Sequence, residues 1–271
     1  MKKLLAKSLC AIAFAASAAT ASASGLPFTV DTSADPTPGA GNTFVANEIA
    51  GTYVEGIALK APGVFSASIV LDFTGFSGVP DAFSGLNIDY DLYAIVDVVG
   101  SFMPSALGGN LFDLGNFTGD IEVYADWDND SNTDQVGAFN ADGVTFAQNI
   151  AGDVEATIVG SGTDVLLGFT TDLTGGTNVG AGSSSFFVGS DTFELTAAGS
   201  SFFIEPQPFY DMVFSDGNIS DLFSEVDFGS LATGQIQEFT SQADVTFVPS
   251  PTTTAILGLG ILGLCLSRRA K

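Results

Sequence analysis

The densest group of side-chain oxygens in the chain lies between residues 126 and 134. Carboxylates at every second position of a loop can converge on one hard cation, and Ca²⁺ takes about six to eight oxygen ligands. Ser131 and Gly137 stand where an EF-hand has its turn glycine and closing glutamate, so the segment is not an EF-hand. It predicts a calcium site, and a solvated acidic loop is the alternative. The predicted ligands are Asp126, Asp128, Asp130 and Asp134, with Asn132 as a further candidate.

A second pair of carboxylates, Asp89 and Asp91, stands two residues apart in an alternating segment. On a strand such side chains share a face at about 6.6–6.8 Å along the axis, which is compatible with glycosidase chemistry. A plain solvent-facing strand has the same pattern. The chain contains no His, which excludes Ser-His-Asp and Cys-His catalysis and His-ligated zinc. We therefore predict a non-catalytic protein, with a secreted glycan-active enzyme as the alternative.

Two aromatic residues, Tyr124 and Trp127, lie beside the acidic segment. Exposed aromatic rings serve recognition, and these two could stack on a sugar ring. Core packing or anchoring of the loop is the interpretation we prefer.

The elements that would position these residues show the two-residue alternation of half-buried strands. The cleanest case is 86–92, which continues to residue 99. Many short strands separated by turn signals favour an all-β fold, an antiparallel sandwich or jelly-roll-like domain. One short helix is predicted at 219–226 from its apolar spacing. Further strands are predicted at 64–73, where the alternation is less regular, and at 121–125, 153–159, 191–195, 201–204 and 243–248; turns are predicted at 80–81, 108–110, 141–143, 175–176 and 216–218.

The charge of the chain is strongly unbalanced, with 7 Lys+Arg against 31 Asp+Glu, although 46% of its residues are hydrophobic. Such a composition supports a folded core and argues against both a disordered acidic tail and nucleic-acid binding. All 31 acids lie in residues 24–248, where Lys60 is the only cation, so that part carries −30. A domain of this charge spreads it over a large surface or binds cations, and we expect its stability to rise with salt or calcium.

The N-terminal segment has the composition of a secretory signal peptide. Lys2, Lys3 and Lys7 precede an apolar run at 9–16, and small residues follow. A positive start, a short apolar run and an A-x-A exit are the parts of such a peptide. Ala21 and Ala23 mark the exit, and we predict a signal peptide at 1–23; cleavage after Ala21 or a buried N-terminal helix are the alternatives.

The C-terminal segment combines two prolines, an apolar run and a basic end. Pro249, Ser250 and Pro251 precede twelve apolar residues at 255–266, fewer than the ~20 of a full membrane span. A cluster of cations at the end would stay on the cytoplasmic side. A plain tail anchor is one interpretation. The cluster consists of Arg268, Arg269 and Lys271.

This layout at 249–271 resembles the PEP-CTERM sorting signal of Gram-negative bacteria. The resemblance implies a transient anchor in the inner membrane, cleavage near the proline pair by the transpeptidase exosortase, and release to the outside or the cell surface. Ser250 stands where that family has Glu. The resemblance also implies exopolysaccharide as a partner. Cys10 and Cys265 fall in the terminal segments, so the predicted exported domain at 24–248 has no disulfide.

Segments of the central domain resemble the flocculation-associated PEP-CTERM proteins. The resemblance lies at 28–31, at 87–93 and above all at 195–210. It implies a role in the extracellular matrix, in floc or biofilm formation, and no known catalytic residue. The tetrapeptide Ser-Ser-Phe-Phe recurs at 184–187 and 200–203, and we interpret the two copies as similar strand starts.

Overall fold

The computed structural model of the chain describes residues 25–34, 41–104, 112–127, 143–180, 183–190, 192–216 and 234–248. Strands predominate in these ranges, and the predicted terminal segments and the predicted helix at 219–226 lie outside them. The strands are β1 (Phe28–Asp31), β2 (Thr43–Ala46), β3 (Ile49–Ala61), β4 (Val64–Phe76), β5 (Asp91–Pro104), β6 (Phe112–Asp126), β7 (Val144–Gln148), β8 (Val154–Ile158), β9 (Val165–Gly180), β10 (Ser183–Ser190), β11 (Glu194–Leu195), β12 (Phe203–Glu205), β13 (Asp211–Asp216) and β14 (Ile236–Val248). The helices are α1 (Asp81–Ser84) and α2 (Ala197–Phe202), and 3₁₀ turns cover Thr32–Ala34 and Ser161–Thr163.

Eight long strands form one closed, barrel-like antiparallel sheet. Their order is β10-β13-β14-β3-β4-β5-β6-β9, and β10 pairs with β9 to close the sheet. The two-residue strand β11 adds to β9. The all-β, antiparallel prediction is therefore confirmed. The finer expectation of a sandwich or jelly roll is not established, because these strands join in a single closed sheet.

The interior of the closed sheet is filled by apolar side chains from alternate positions. Leu71 on β4 lies opposite Tyr53 on β3 and Ala94 on β5, and all three are fully buried. Eight strands leave an interior just wide enough for side chains to fill. The abundant β-branched and aromatic residues thus explain both the strands and the core.

One end of the closed sheet, which we call the capped end, is covered by a small sheet and the two helices. The small sheet has the order β12-β1-β2. Aromatic contacts join it to the interior: the ring of Phe28 lies 4.8 Å from that of Phe247, and the ring of Phe44 lies 5.0 Å from that of Phe76. Offset and edge contacts of this kind stabilise aromatic cores.

The β7–β8 hairpin packs on the outside of the closed sheet, against β3, β4 and β5. We call this hairpin, together with the outer faces of those three strands, the hairpin wall. A second apolar cluster fills the space between them, with Val54 and Val70 on the sheet and Val144 and Ile158 on the hairpin. Strands β3 and β4 are therefore apolar on both faces, which obscures their alternation in the sequence.

Four predicted strands are confirmed. Residues 64–73 lie in β4, 121–125 in β6 and 243–248 in β14, and the segment 153–159 contains β8. The last three alternate apolar and polar residues, which is sufficient to mark a strand, and 64–73 is marked by its run of apolar and β-branched residues.

Other predictions were wrong. Residues 87–89 form a turn, and the strand begins only at Asp91. Residues 200–202 are helical and β12 starts at Phe203, while of the described residues 192–195 only Glu194 and Leu195 form a strand. The predicted turn at 175–176 lies inside β9, where it pairs with β10. In each case long-range packing outweighed the local pattern.

Candidate functional site

The predicted calcium segment begins at the capped end. Asp126 is the last residue of β6 and is fully buried, whereas Asp128, Asp130, Asn132 and Asp134 lie outside the described residues. Among the described residues, no group of three or more Asp, Glu, Cys or His is arranged to hold a metal ion. The calcium site therefore stays a prediction. The signal residues Ala21 and Ala23 and the sorting residues Pro249, Ser250, Pro251, Arg268, Arg269 and Lys271 also lie outside the described part.

Asp89 and Asp91 do not share a strand face, so the predicted acid pair is wrong. Asp89 is exposed in the turn at 87–89, whereas Asp91 begins β5 and is 2% exposed. The turn is held by a backbone bond from Asn87 N–H to Tyr90 O (2.8 Å) and by the left-handed φ of Asn87, 60°. Asparagine adopts this conformation more readily than most residues.

Asp91 instead lies directly opposite Asp126 on the neighbouring strand. Both side chains are buried, and each has an interaction partner within the fold. Strand register thus pairs Asp126 with an acid that stands far from it in the sequence.

Trp127 packs into the capped end rather than projecting from it. Its ring lies 5.2 Å from that of Tyr90 and 5.8 Å from that of Phe202. This contact anchors the start of the acidic segment, in agreement with the preferred interpretation. Tyr124 stacks on Tyr93 at 5.2 Å, and its hydroxyl donates to Glu122 Oε2 at 2.6 Å. Neither ring is therefore presented as a sugar platform.

A small pocket of about 30 Å³ lies beside Tyr90 at the capped end. Its lining comes from the β1–β2 connection, α1 and the turn at 87–89, and includes Phe83 and Asp89. The Tyr90 hydroxyl is buried and finds no hydrogen-bond partner among the described residues. Burial raises the pKa of the Tyr90 phenol, and the Asp89 carboxylate raises it further. The phenol is therefore a permanent hydrogen-bond donor.

At the hairpin wall, two buried serine hydroxyls and Lys60 bond the hairpin to the sheet. The Val154 N–H donates to Ser66 Oγ at 2.9 Å, and the Ala156 N–H donates to Ser68 Oγ at 3.2 Å. Lys60 Nζ donates to Asp153 Oδ1 at 2.5 Å. These bonds connect the hairpin to the sheet, so this region is structural.

Carboxylates also accumulate at the hairpin wall. Asp97 on β5 lies directly opposite Asp120 on β6. Burial raises the pKa of Asp97, a hydrogen bond from Ser68 opposes this, and Asp120, Glu122 and Glu155 raise the pKa further. The surface here strongly disfavours additional negative charge.

Glu55 is a functional candidate that the sequence reasoning missed. It lies on the inward face of β3, between Tyr53 and Ile57, and keeps only part of its surface exposed. Burial raises its pKa to about 7. Gln237 on β14 lies opposite Ile57, two residue pairs from Glu55, and its Oε1 has no bonding partner in the described ranges. The signal for Glu55 in the sequence was a single acid with an apolar residue two positions away on either side, Tyr53 and Ile57.

The chain matches no family model, no curated protein and no solved structure. The helices in the described ranges are all too short or too polar to cross a membrane.

Proposed function

We propose that the chain is an exported, non-catalytic protein of the exopolysaccharide matrix that promotes floc or biofilm formation. It binds anionic polymer through divalent cations, chiefly calcium. Export uses the signal peptide at 1–23, and the segment 249–271 anchors the protein transiently in the inner membrane until exosortase releases it. This proposal rests on the composition and on the two family resemblances.

The observation that carries the proposal is the charge of residues 24–248. Lys60 is the only cation there, against 31 acids, and it already forms an ion pair with Asp153. The acids cannot neutralise one another, so the surface attracts external cations. The exposed acids in the described part are Asp81, Asp89, Asp120, Glu122, Glu155, Asp172, Glu194, Glu205 and Glu238.

Bridging by calcium is tested with the full chain and hyaluronate, an anionic polysaccharide. We expect the two to co-elute in gel filtration with calcium and to separate in EDTA. Sodium chloride of matched ionic strength is the control, since screening alone also weakens repulsion. Neutral dextran is the second control. Co-elution in EDTA, or separation in calcium, contradicts the bridging mechanism.

Export and release are tested by mass spectrometry of the secreted protein in an exopolysaccharide-producing bacterium that contains an exosortase. We expect a start at Ser24 and loss of Arg268 to Lys271. The variant Pro251→Ala should stay associated with the membrane, whereas Pro62→Ala, in the exposed turn between β3 and β4, should be released normally. A secreted protein that retains its basic end contradicts the sorting proposal.

The enzyme alternative is less well supported. The predicted acid pair is split between a turn and a strand, and the pair that does meet, Asp91 and Asp126, is buried away from any polymer. Reducing ends released from polysaccharide by the purified chain would favour this alternative over a matrix role.

A further inference from the structure

Glu55 is an acid on the inner face of the closed sheet. Side chains alternate between the two faces of a strand, and the pairing of β3 with β4 is regular on both sides of this residue. Val54 belongs to the apolar cluster of the hairpin wall, and a Cβ on Gly56 would lie 2.5 Å from Cγ of Phe146 on the hairpin. Both neighbours of Glu55 therefore face outward, so Glu55 itself faces the interior.

The surroundings of Glu55 in the interior are apolar. Tyr53 and Ile57, the inward residues on either side of it along β3, are buried, as is Ile69 directly opposite on β4. Glu55 keeps only part of its surface exposed. Protons from solvent can therefore reach the carboxyl, whereas the full water shell that a carboxylate requires is excluded.

Among the described residues, no cation faces this carboxyl. Lys60 is the only cation of residues 24–248, and it is bonded to Asp153 on the hairpin, outside the sheet. The other titratable group nearby on the inner face of β3 is the phenol of Tyr53. The residues that pair with positions 53, 55 and 57 are uncharged on both neighbouring strands: Ala67, Ile69 and Leu71 on β4, and Gln237, Phe239 and Ser241 on β14.

A carboxylate in such a place is unfavourable, because it loses water and gains no opposite charge. Burial accordingly raises the pKa of Glu55 from its ordinary 4.5 to about 7, and no neighbouring charge contributes. The folded chain thus keeps a proton that the unfolded chain has already released. The stability that this proton provides is complete below about pH 4.5 and is lost as the pH rises through 7.

The seam between β3 and β14 is the weaker side of Glu55. On the other side, the hairpin covers β4 and bonds to its Ser66 and Ser68 hydroxyls. The outer face of β14 instead carries the exposed residues Glu238 and Gln242. Strands whose pairing is open to water separate at lower cost than strands that are covered on both faces.

We propose that the proton of Glu55 couples closure of the sheet to pH at the seam between β3 and β14. While the proton is bound, the seam stays closed. When the proton leaves, the charged carboxylate gains water only if the two strands part. This inference goes beyond the proposed matrix function, because it requires neither polymer nor calcium. It makes the domain firmest in mildly acidic surroundings and loosest in alkaline ones.

The first test is a direct titration of the full chain by NMR of ¹³C-labelled glutamate carboxyl groups. The variant Glu55→Gln identifies the signal, since that signal disappears from its spectrum. We expect a midpoint near pH 7 for Glu55. A midpoint below about pH 5, the range of an ordinary glutamate, overturns the inference.

The second test compares urea unfolding of the full chain and of Glu55→Gln across the pH range. Relative to the variant, the unfolding constant of the unmodified chain should rise on the order of a hundredfold between about pH 4.5 and pH 8. A loss that Gln causes equally at every pH cancels in this ratio. Glu238→Gln removes an exposed acid of the same seam, opposite Gly56, and should follow the unmodified chain. A relative change below about threefold contradicts the coupling.

The third test locates the opening by hydrogen exchange, corrected for the intrinsic effect of pH on exchange. At pH 8 the β14 amides should exchange faster in the unmodified chain than in Glu55→Gln, whereas the amides between β5 and β6 should not differ. Equal protection of β14 in the two proteins refutes the seam as the point of opening. All three tests are done in EDTA without polymer, so their outcome is independent of the co-elution with hyaluronate.

Discussion

The capped end and the hairpin wall both bury hydroxyl groups beneath an added segment, but they use them differently. At the hairpin wall, Ser66 and Ser68 accept backbone N–H groups of β8. At the capped end, the Tyr90 hydroxyl is equally buried and finds no partner in the described structure. A satisfied group stabilises the fold, whereas an unsatisfied one reduces stability. The comparison distinguishes hydroxyls that hold an added segment in place from one that the described fold leaves without a hydrogen bond.

The largest effect is expected at the capped end from Gly199→Ala. A Cβ there would lie 1.7 Å from the carbonyl oxygen of Leu167, so α2 would have to move away from β9. Phe202, the last residue of α2, is completely buried and would lose its contacts. We expect the free energy of unfolding to fall by about 3 kcal/mol or more, measured by urea unfolding with Trp127 fluorescence. A loss below about 1 kcal/mol would show that α2 is not needed for the capped end.

The next effect tests the hairpin wall through Gly56→Ala. The added Cβ would lie 2.5 Å from Phe146 Cγ, but a side chain can shift where a backbone cannot. We expect a loss of about 1–3 kcal/mol and faster hydrogen exchange of the Val154 and Ala156 amides. Gly162→Ala is the control, since nothing lies within 4 Å of its added Cβ. Equal behaviour of both variants would contradict the close packing of the hairpin.

A matched pair of hydroxyl deletions tests the comparison most directly. Ser66→Ala leaves the buried Val154 N–H without an acceptor and should cost about 1–3 kcal/mol. Tyr90→Phe removes a hydroxyl that no described residue bonds, so stability should stay the same or rise. Both are measured by chemical denaturation. If Tyr90→Phe is as destabilising as Ser66→Ala, the phenol is structural and the two regions do not differ.

The pH dependence of the hairpin wall is tested with Asp97→Asn. Because burial and neighbouring acids raise the folded pKa of Asp97, the folded state holds its proton at a pH where the unfolded state has released it. The parent protein therefore loses stability as pH rises above about 4, the unfolded value. The substituted amide does not titrate, so the variant should be more stable at pH 7 by about 0.2–1 kcal/mol. An advantage that persists at pH 3 would contradict this origin.

The smallest effect is expected from Lys60→Met, which removes the only ion pair of the hairpin wall within the described residues. The two side chains are 30% and 29% exposed, so water screens the pair. We expect a loss of about 0–1 kcal/mol at low salt and less at high salt. Melting curves at two salt concentrations measure this. A larger loss would mean that the lysine counteracts the acidity of the whole domain.

Part of the fold follows from local pattern. The segments 121–125 and 243–248 alternate without interruption, and each lies in a strand. A strand that buries the same face along its whole length can be recognised from its own residues alone. The segment 86–92 alternates equally well, yet its centre forms a turn, closed by the bond from Asn87 N–H to Tyr90 O and by the left-handed φ of Asn87, neither of which an alternating pattern shows.

The candidate site shows the same division. The sequence predicted the anchoring role of Trp127, since a single Trp beside a run of acids is visible in one dimension; the calcium role of Asp126 stays a prediction. It did not identify Asp126 as the neighbour of Asp91, nor Tyr90 as part of the lining of a pocket. Both depend on strand register and on α1, which bring together residues that are distant along the chain.

The sequence by itself determined the β character, the charge of −30 in residues 24–248 and the absence of His chemistry, because these are sums and local periods. Only the tertiary structure decided that the sheet closes, and that Ser-Ser-Phe-Phe is part of a strand at 184–187 but ends a helix at 200–203. Closure and helix position come from pairings between distant segments. A tetrapeptide carries no information about which partner will bury it.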